Sequence, residues 1–287
     1  MSNPLVSLVI PCYNMGFTLD EAVASIRSQT YPHIEIIIVD DGSTDPETIQ
    51  WVAQFESEGV TVVRQENGGP AAALNAGLKI AHGEFYMPLG DDLIEPPYVE
   101  EAVAAMQANP NLGIVYCRAD FFGSVTGEWG LPDFNFPYQL MWNAIFAVAL
   151  FRRADWVQVG GYDEALRGRE DHDFNLRILG LGRDVLRLEG RYFHYRRGRG
   201  SINDAVHAED ARPRLIATYA RMFRNNLQLY SDHAEDFFTG IFREVDERNE
   251  LLQRYRYLER LRNSRVGKFG LKAVHLSKSE LRRLRGK

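Results

Sequence analysis

Short runs of β-branched and aromatic residues alternate with amphipathic stretches over the first two-thirds of the chain. Leu5 to Ile10, Ile34 to Val39, Val60 to Val63 and Glu84 to Met87 read as strands. Between them, helical spacing covers about Leu19–Gln29, Glu47–Glu56 and Ala71–Ala81, punctuated by Pro32, Gly59 and Gly83. This alternation predicts an α/β fold with a mainly parallel sheet and helices on both faces. Further on, the pattern gives a helix over Pro97–Ala108, strands near Ile114–Cys117 and Ile145–Leu150, and a helix opening at Glu170. After Ala205 the pattern turns long, helical and basic. We therefore expect an α/β domain over residues 1–204 and a C-terminal helical extension over 205–287.

Composition narrows the class. Across 287 residues, 45 % are hydrophobic and 25 % charged, as in an ordinary folded protein. The run Ala144 to Phe151 falls far short of the roughly 20 apolar residues that span a bilayer. No leader-like segment precedes the first strand, so a cytoplasmic address is expected. Cys12 and Cys117, each within an apolar run, suit buried thiols in a reducing compartment. The net charge of −6 is unevenly spread: Arg243 to Lys287 holds 14 Lys and Arg against 6 Asp and Glu, or +8, which leaves −14 for the rest. That distribution argues against a nucleic-acid partner.

Ligands of an open parallel sheet bind beyond the carboxyl ends of its strands. The residues there are Pro11-Cys12-Tyr13-Asn14, Asp40-Asp41-Gly42-Ser43-Thr44-Asp45, Glu66-Asn67-Gly68-Gly69-Pro70 and Gly90-Asp91-Asp92. Adjacent carboxylates repel, and a cation relieves the repulsion, so Asp91-Asp92 is a candidate site for Mg²⁺ or Mn²⁺. The same two residues also suit a loop or a helix cap. No Gly-x-Gly-x-x-Gly follows the first strand and no Gly-x4-Gly-Lys-Ser/Thr is present, which excludes the common dinucleotide and P-loop sites. Glu170-Asp171-His172-Asp173 opens a helix, where acids favour the macrodipole and one of them could serve as a general base. His172, between acids, reads as a surface residue or as a ligand. Trp129 and Trp142, in the aromatic stretch Phe121 to Trp142, suit either packing or stacking on a ligand ring. A phosphohydrolase reading of Asp40-Asp41-Gly42-Ser43-Thr44 fails on spacing.

The ordered set Val6 to Asn14, Ile38 to Asp45, Asn67 to Gly77, Asp91-Asp92, Gly160-Gly161-Tyr162-Asp163-Glu164 and Glu170 to Asp173 resembles the family 2 glycosyltransferases over about residues 4 to 200. The resemblance implies a GT-A fold, a nucleotide-diphosphate-sugar donor, a divalent metal (Mn²⁺ or Mg²⁺) and inversion at the anomeric carbon. It implies that Asp41 binds the nucleobase beside Pro11 and Tyr13, that Asp91 approaches the ribose and that Asp92 ligates the metal. Asp171 would be the base, and Asn14, Asn67, Gly68, Trp142 and Glu170 complete the substrate-binding set. Leu89 and Leu74 depart from the family pattern, and His194 stands near a position where relatives place a ligand. The acceptor would be a saccharide or a lipid-linked saccharide, in synthesis of a surface polysaccharide or glycoconjugate; the alternative is a catalytically inactive sugar-nucleotide binder of the same fold. For the extension, Phe237 to Leu261 has the spacing of an amphipathic helix, suited to packing or self-association. The basic stretch Arg262 to Lys287 suits contact with an anionic membrane face, giving a peripheral location there.

Overall fold

The computed structural model describes residues 3–166, 168–198 and 212–263. Its first half alternates as the pattern predicts: β1 (Val6–Cys12), α1 (Thr18–Arg27), β2 (Ile34–Asp40), α2 (Pro46–Ser57), β3 (Thr61–Arg64), α3 (Pro70–Ile80) and β4 (Phe85–Pro88). These strands lie in the order β3-β2-β1-β4, all parallel, so their carboxyl ends share one edge. Cys12 pairs with Asp40 at that edge, so the loops after β1 and β2 leave the sheet side by side. The strands read as near-continuous apolar runs because helices cover both faces. Helix α3 sits so close to one face that a Cβ on Gly77 would lie 2.5 Å from Val9 Cγ1, which requires glycine there.

The second half is mixed. It adds β5 (Leu93–Ile94), α4 (Tyr98–Ala108), β6 (Leu112–Gly123), β7 (Gly127–Trp129), α5 (Phe136–Met141), β8 (Leu150–Arg152), α6 (Arg153–Val159), α7 (Glu170–Leu179) and β9 (Asp184–Arg197). The sheet continues from β4 as β8-β6-β9-β5, with β8 antiparallel to both β4 and β6. The run Ile145–Leu150, expected as a strand, is instead mostly an irregular segment, and only Leu150 to Arg152 pairs. Its apolar character reflects burial, since Ala144, Ile145 and Ala149 are fully enclosed. Side chains replace the missing ladder: Ala144 N donates to Gln139 Oε1 at 2.9 Å, and Tyr98 Oη donates to the Val148 carbonyl at 2.7 Å.

After the sheet come α8 (Arg212–Asn225), α9 (Leu227–Asp232) and α10 (Ala234–Asn263). The chain divides into two compact units, the first ending at Ala234 and the second beginning at Glu235, so α8 and α9 belong with the sheet. No helix among the described residues is long and apolar enough to cross a membrane. The basic stretch from Ser264 onward lies outside the described residues.

Candidate active site

Three hydrogen-bonded clusters gather the residues singled out in the sequence. The first joins the loops after β1, β2 and β3. Asp41 is buried, and its Oδ1 accepts from Gln65 Nε2 at 2.7 Å and from Gly68 N at 2.8 Å, while Oδ2 accepts from Gly69 N at 2.8 Å. Asn67 Nδ2 donates to the Asp41 carbonyl at 3.0 Å. Two carboxylate oxygens offer about four lone-pair positions, so three donors leave Asp41 roughly one for a ligand. The turn between these loops needs glycine: Gly42 has φ +78°, and a Cβ there would lie 2.9 Å from Asn67 N.

Asn14 ties the neighbouring loop down. Its φ of 51° lies in the left-handed region that Asn tolerates, and its Oδ1 accepts from Thr44 N at 2.8 Å and Asp45 N at 2.9 Å. Asp45 in turn caps α2, accepting from Thr48 N at 2.9 Å ahead of Pro46. Pro11 lies in β1 opposite Val39, and Tyr13 stands exposed beside it. Asn14 is thus occupied within the protein, whereas the Tyr13 ring faces solvent.

The second cluster is the Asp91-Asp92 pair beyond β4. Asp92 is buried and Asp91 exposed. Asp92 Oδ1 accepts from Arg196 N at 2.8 Å, and Arg196 Nε donates to the Asp91 carbonyl at 2.7 Å. The Arg196 guanidinium also pairs with Glu21 and stands 4.5 Å from the Phe122 ring centroid. Arg196, at the end of β9, is therefore the clasp of this loop, which sequence patterning alone did not show. Burial first, and then the Asp91 charge, push the Asp92 carboxyl up to about 8 against the Arg196 hydrogen bond. A buried carboxylate beside a second, exposed one supplies hard oxygen donors, and a divalent ion that keeps water and phosphate ligands suits such donors even with the Arg196 guanidinium close by, 4.0 Å from Asp91 Oδ2. Among the described residues no group of three or more His, Cys, Asp and Glu converges as a metal cage, so the rest of a shell would come from water and substrate. His194 is directed to Glu95, with Nε2 2.7 Å from Oε1.

The third cluster surrounds the start of α7. Asn143 Nδ2 donates to Asp171 Oδ2 at 2.8 Å. The Asn143 amide is itself oriented, because its Oδ1 accepts from Gln139 Nε2 at 2.9 Å and from Asn175 Nδ2 at 3.3 Å. Glu170 is pushed up to about 7 by burial and by the adjacent Asp171. His172, expected at the surface, is 1 % exposed; its Nε2 donates to the Gln139 carbonyl at 2.7 Å, and burial holds its pKa down. The helical periodicity explains this: position 172 faces inward with Asn175, Leu176 and Leu179.

The two tryptophans part ways. Trp129 packs among aromatic rings, 5.2 Å from Phe121 and 4.9 Å from Tyr195 by centroid. Trp142 is 44 % exposed, one residue before the Asn143 that holds Asp171, with Tyr219 of α8 edge-on at 6.4 Å. Asn75 pins the Gly160 to Glu164 loop, donating from Nδ2 to the Tyr162 carbonyl at 2.9 Å and accepting from Tyr162 N at 2.9 Å.

The family model for Glycosyl transferase family 2 matches residues 7–163, more than half of the chain, and spans the first two clusters except for His194 and Arg196. The chain belongs to this family. Among curated relatives, the uncharacterized glycosyltransferase RP339 of Rickettsia prowazekii (strain Madrid E) is 39 % identical over 184 residues, 60 % of this chain and 57 % of that protein. The O-antigen biosynthesis protein RfbC of Myxococcus xanthus is 29 % identical over 203 residues, 68 % of this chain but 16 % of that protein. This family 2 chain also spans only 22 % of the protein y4gI of Sinorhizobium fredii, to which it is 30 % identical over 202 residues. Of the solved structures, S. aureus TarS 1-349 in complex with UDP-GlcNAc gives a TM-score of 0.62 at 21 % identity, over 80 % of this chain and 72 % of that one. The mannosyltransferase PcManGT from Pyrobaculum calidifontis, in complex with GDP-Man and Mn²⁺, gives 0.58 at 18 % identity, over 94 % and 83 %. These likenesses show that the family 2 chain has the GT-A fold.

Proposed function

We propose that this glycosyltransferase is an inverting enzyme that moves a sugar from a nucleotide-diphosphate donor to an acceptor hydroxyl, with Asp171 as the base. The observation that carries the reading is the Asn143 to Asp171 hydrogen bond, which fixes the carboxylate by one oxygen. Asp171 Oδ1 is left to accept the acceptor's proton. The hydroxyl oxygen then bonds to the anomeric carbon as the bond to the diphosphate breaks, and the electron pair leaves with the nucleoside diphosphate. A single displacement of this kind inverts the anomeric centre, whereas retention by two displacements would need a second carboxylate as nucleophile.

The loop held by Asp41, Asn67 and Gly68, with Tyr13 and Pro11 beside it and Asn14 bracing it, would receive the nucleobase. Asp91 would meet the ribose. Asp92 would hold a divalent ion, Mn²⁺ or Mg²⁺, which when bound offsets charge on the diphosphate. The neighbour that binds GDP-Man and Mn²⁺ supports this assignment by its shared fold. Trp142, with Glu170 next to Asp171, would line the acceptor side, and its exposed ring suits a saccharide face. Residues 1–204 would carry the chemistry, with the helical region 205–287 as its extension. Polysaccharide or glycoconjugate synthesis is the fitting process, given the O-antigen relative, and two buried thiols suit a cytoplasmic setting.

The test is calorimetric titration with UDP-, GDP-, dTDP- and CDP-sugars, with and without Mn²⁺. It is followed by proton NMR of the product formed with the sugar that binds. One donor bound more tightly with Mn²⁺ and a product of opposite anomeric configuration are expected. Retained configuration, or binding indifferent to metal, would overturn the reading.

A further inference from the structure

Helix α10 carries an unusually exposed apolar stripe. Phe238, Phe242, Val245, Leu252 and Tyr255 lie along it, each between 37 and 65 % exposed. Their spacing of four, three, seven and three residues is that of a helix seam that packs on another helix. The seven-residue step skips one seam position, and Asn249 occupies it, at the centre of the stripe. A single polar residue at such a position fixes register at some cost in stability.

The charges of α10 are split about the same centre. From Ala234 to Glu250 there are 6 acidic and 2 basic residues, or −4, whereas from Leu251 to Asn263 there are 4 basic and 1 acidic, or +3. A parallel copy would set like against like. An antiparallel copy sets each acidic half against a basic half, brings Phe242 near the partner's Tyr255 and the partner's Leu252 near Val245, and lets the two Asn249 amides meet at the two-fold axis. We propose that α10 is a self-association element through which two copies of this chain form an antiparallel, two-fold dimer. The helix, about 45 Å long at 1.5 Å per residue, gives a narrow interface, so the dimer forms by mass action and dissociates on dilution.

The test uses the full chain. Sedimentation velocity from about 1 to about 100 µM should show the mass rising from one chain to two, and Phe242→Glu, at an exposed position, should hold it at one chain. Arg254→Glu with Arg256→Glu should weaken association at least about tenfold. Because Cys12 and Cys117 are buried, an added surface thiol reports orientation. Asn249→Cys should form a disulfide-linked dimer under mild oxidation, and Phe238→Cys, remote from the axis, should not. A monomer at every concentration, equal cross-linking by both cysteine variants, or association unchanged by Phe242→Glu would overturn the proposal. So would a monomer that co-sediments with anionic vesicles and loses them on Phe242→Glu, which would make the stripe a membrane surface.

Discussion

Asn143 donates to Asp171 across 28 positions of sequence, and the bond, at 2.8 Å, ties the loop after α5 to the first turn of α7. Because Gln139 and Asn175 both donate to Asn143 Oδ1, the amide presents its NH₂ and not its oxygen to the carboxylate. If Asp171 is the base, Asp171→Asn should cut turnover by about 10²- to 10⁴-fold with donor affinity nearly unchanged. Asn143→Ala should cost less, about tenfold in kcat, and should cost nothing further in the Asp171→Asn background, since the two act as one unit. Near-wild-type turnover in Asp171→Asn would remove the residue from the mechanism.

The buried member of the acidic pair is the second test. Asp92→Ala should abolish the Mn²⁺-dependent part of nucleotide binding, while an Asp92→Asn chain, which keeps an acceptor for Arg196 N, should fold as the wild type does. Comparing nucleotide affinity with and without Mn²⁺ in each chain decides it. Equal metal dependence in Asp92→Ala and wild type would refute the site.

The parallel half of the sheet was open to reading because strand and helix periods alternate cleanly there and its central strands β1 and β4 are buried almost throughout. The candidate residues after those strands were legible for the same reason, since the carboxyl edge follows from parallel order alone. Strand β9 was not, because it carries four Arg and is only partly buried along most of its length, so period and burial both speak weakly. The segment Ile145–Leu150 misled in the opposite sense, since its burial is served by side-chain amides and not by a ladder. Arg196, Asn143 and Asn75 act across 104, 28 and 87 positions, and no local pattern reports bonds of that span.

Trp142 and Trp129 form a matched pair of controls. Trp142→Ala should raise the acceptor KM with little change in donor affinity or melting temperature, because its ring is exposed and edge-on to Tyr219. Trp129→Ala should instead lower stability, by about 3 kcal/mol, through the lost contacts with Phe121, Phe146 and Tyr195. Acceptor kinetics alongside thermal unfolding separate the two roles, and an unchanged acceptor KM in Trp142→Ala would sink the platform assignment.

The loop Gly160 to Glu164 is held from outside the sheet by α8. Arg221 Nη2 donates to Asp163 Oδ1 at 2.8 Å, and Asn225 Nδ2 donates to Asp163 Oδ2 at 2.7 Å and to Asp173 Oδ1 at 3.0 Å. Burial alone would raise the Asp163 carboxyl, but Arg221 and Asn225 outweigh it and hold it down at about 2. A folded-state value below the ordinary one means the unfolded chain takes up the proton first. The clamp therefore contributes fully above roughly pH 4 and is lost as the pH falls through about 2. Arg221→Ala should lower stability modestly at pH 7, because the guanidinium is 45 % exposed, and should flatten the acid limb of the stability profile. Urea unfolding of both chains from pH 7 down to about pH 2 checks this, and parallel profiles would show that the Asp163 charge is not what α8 holds.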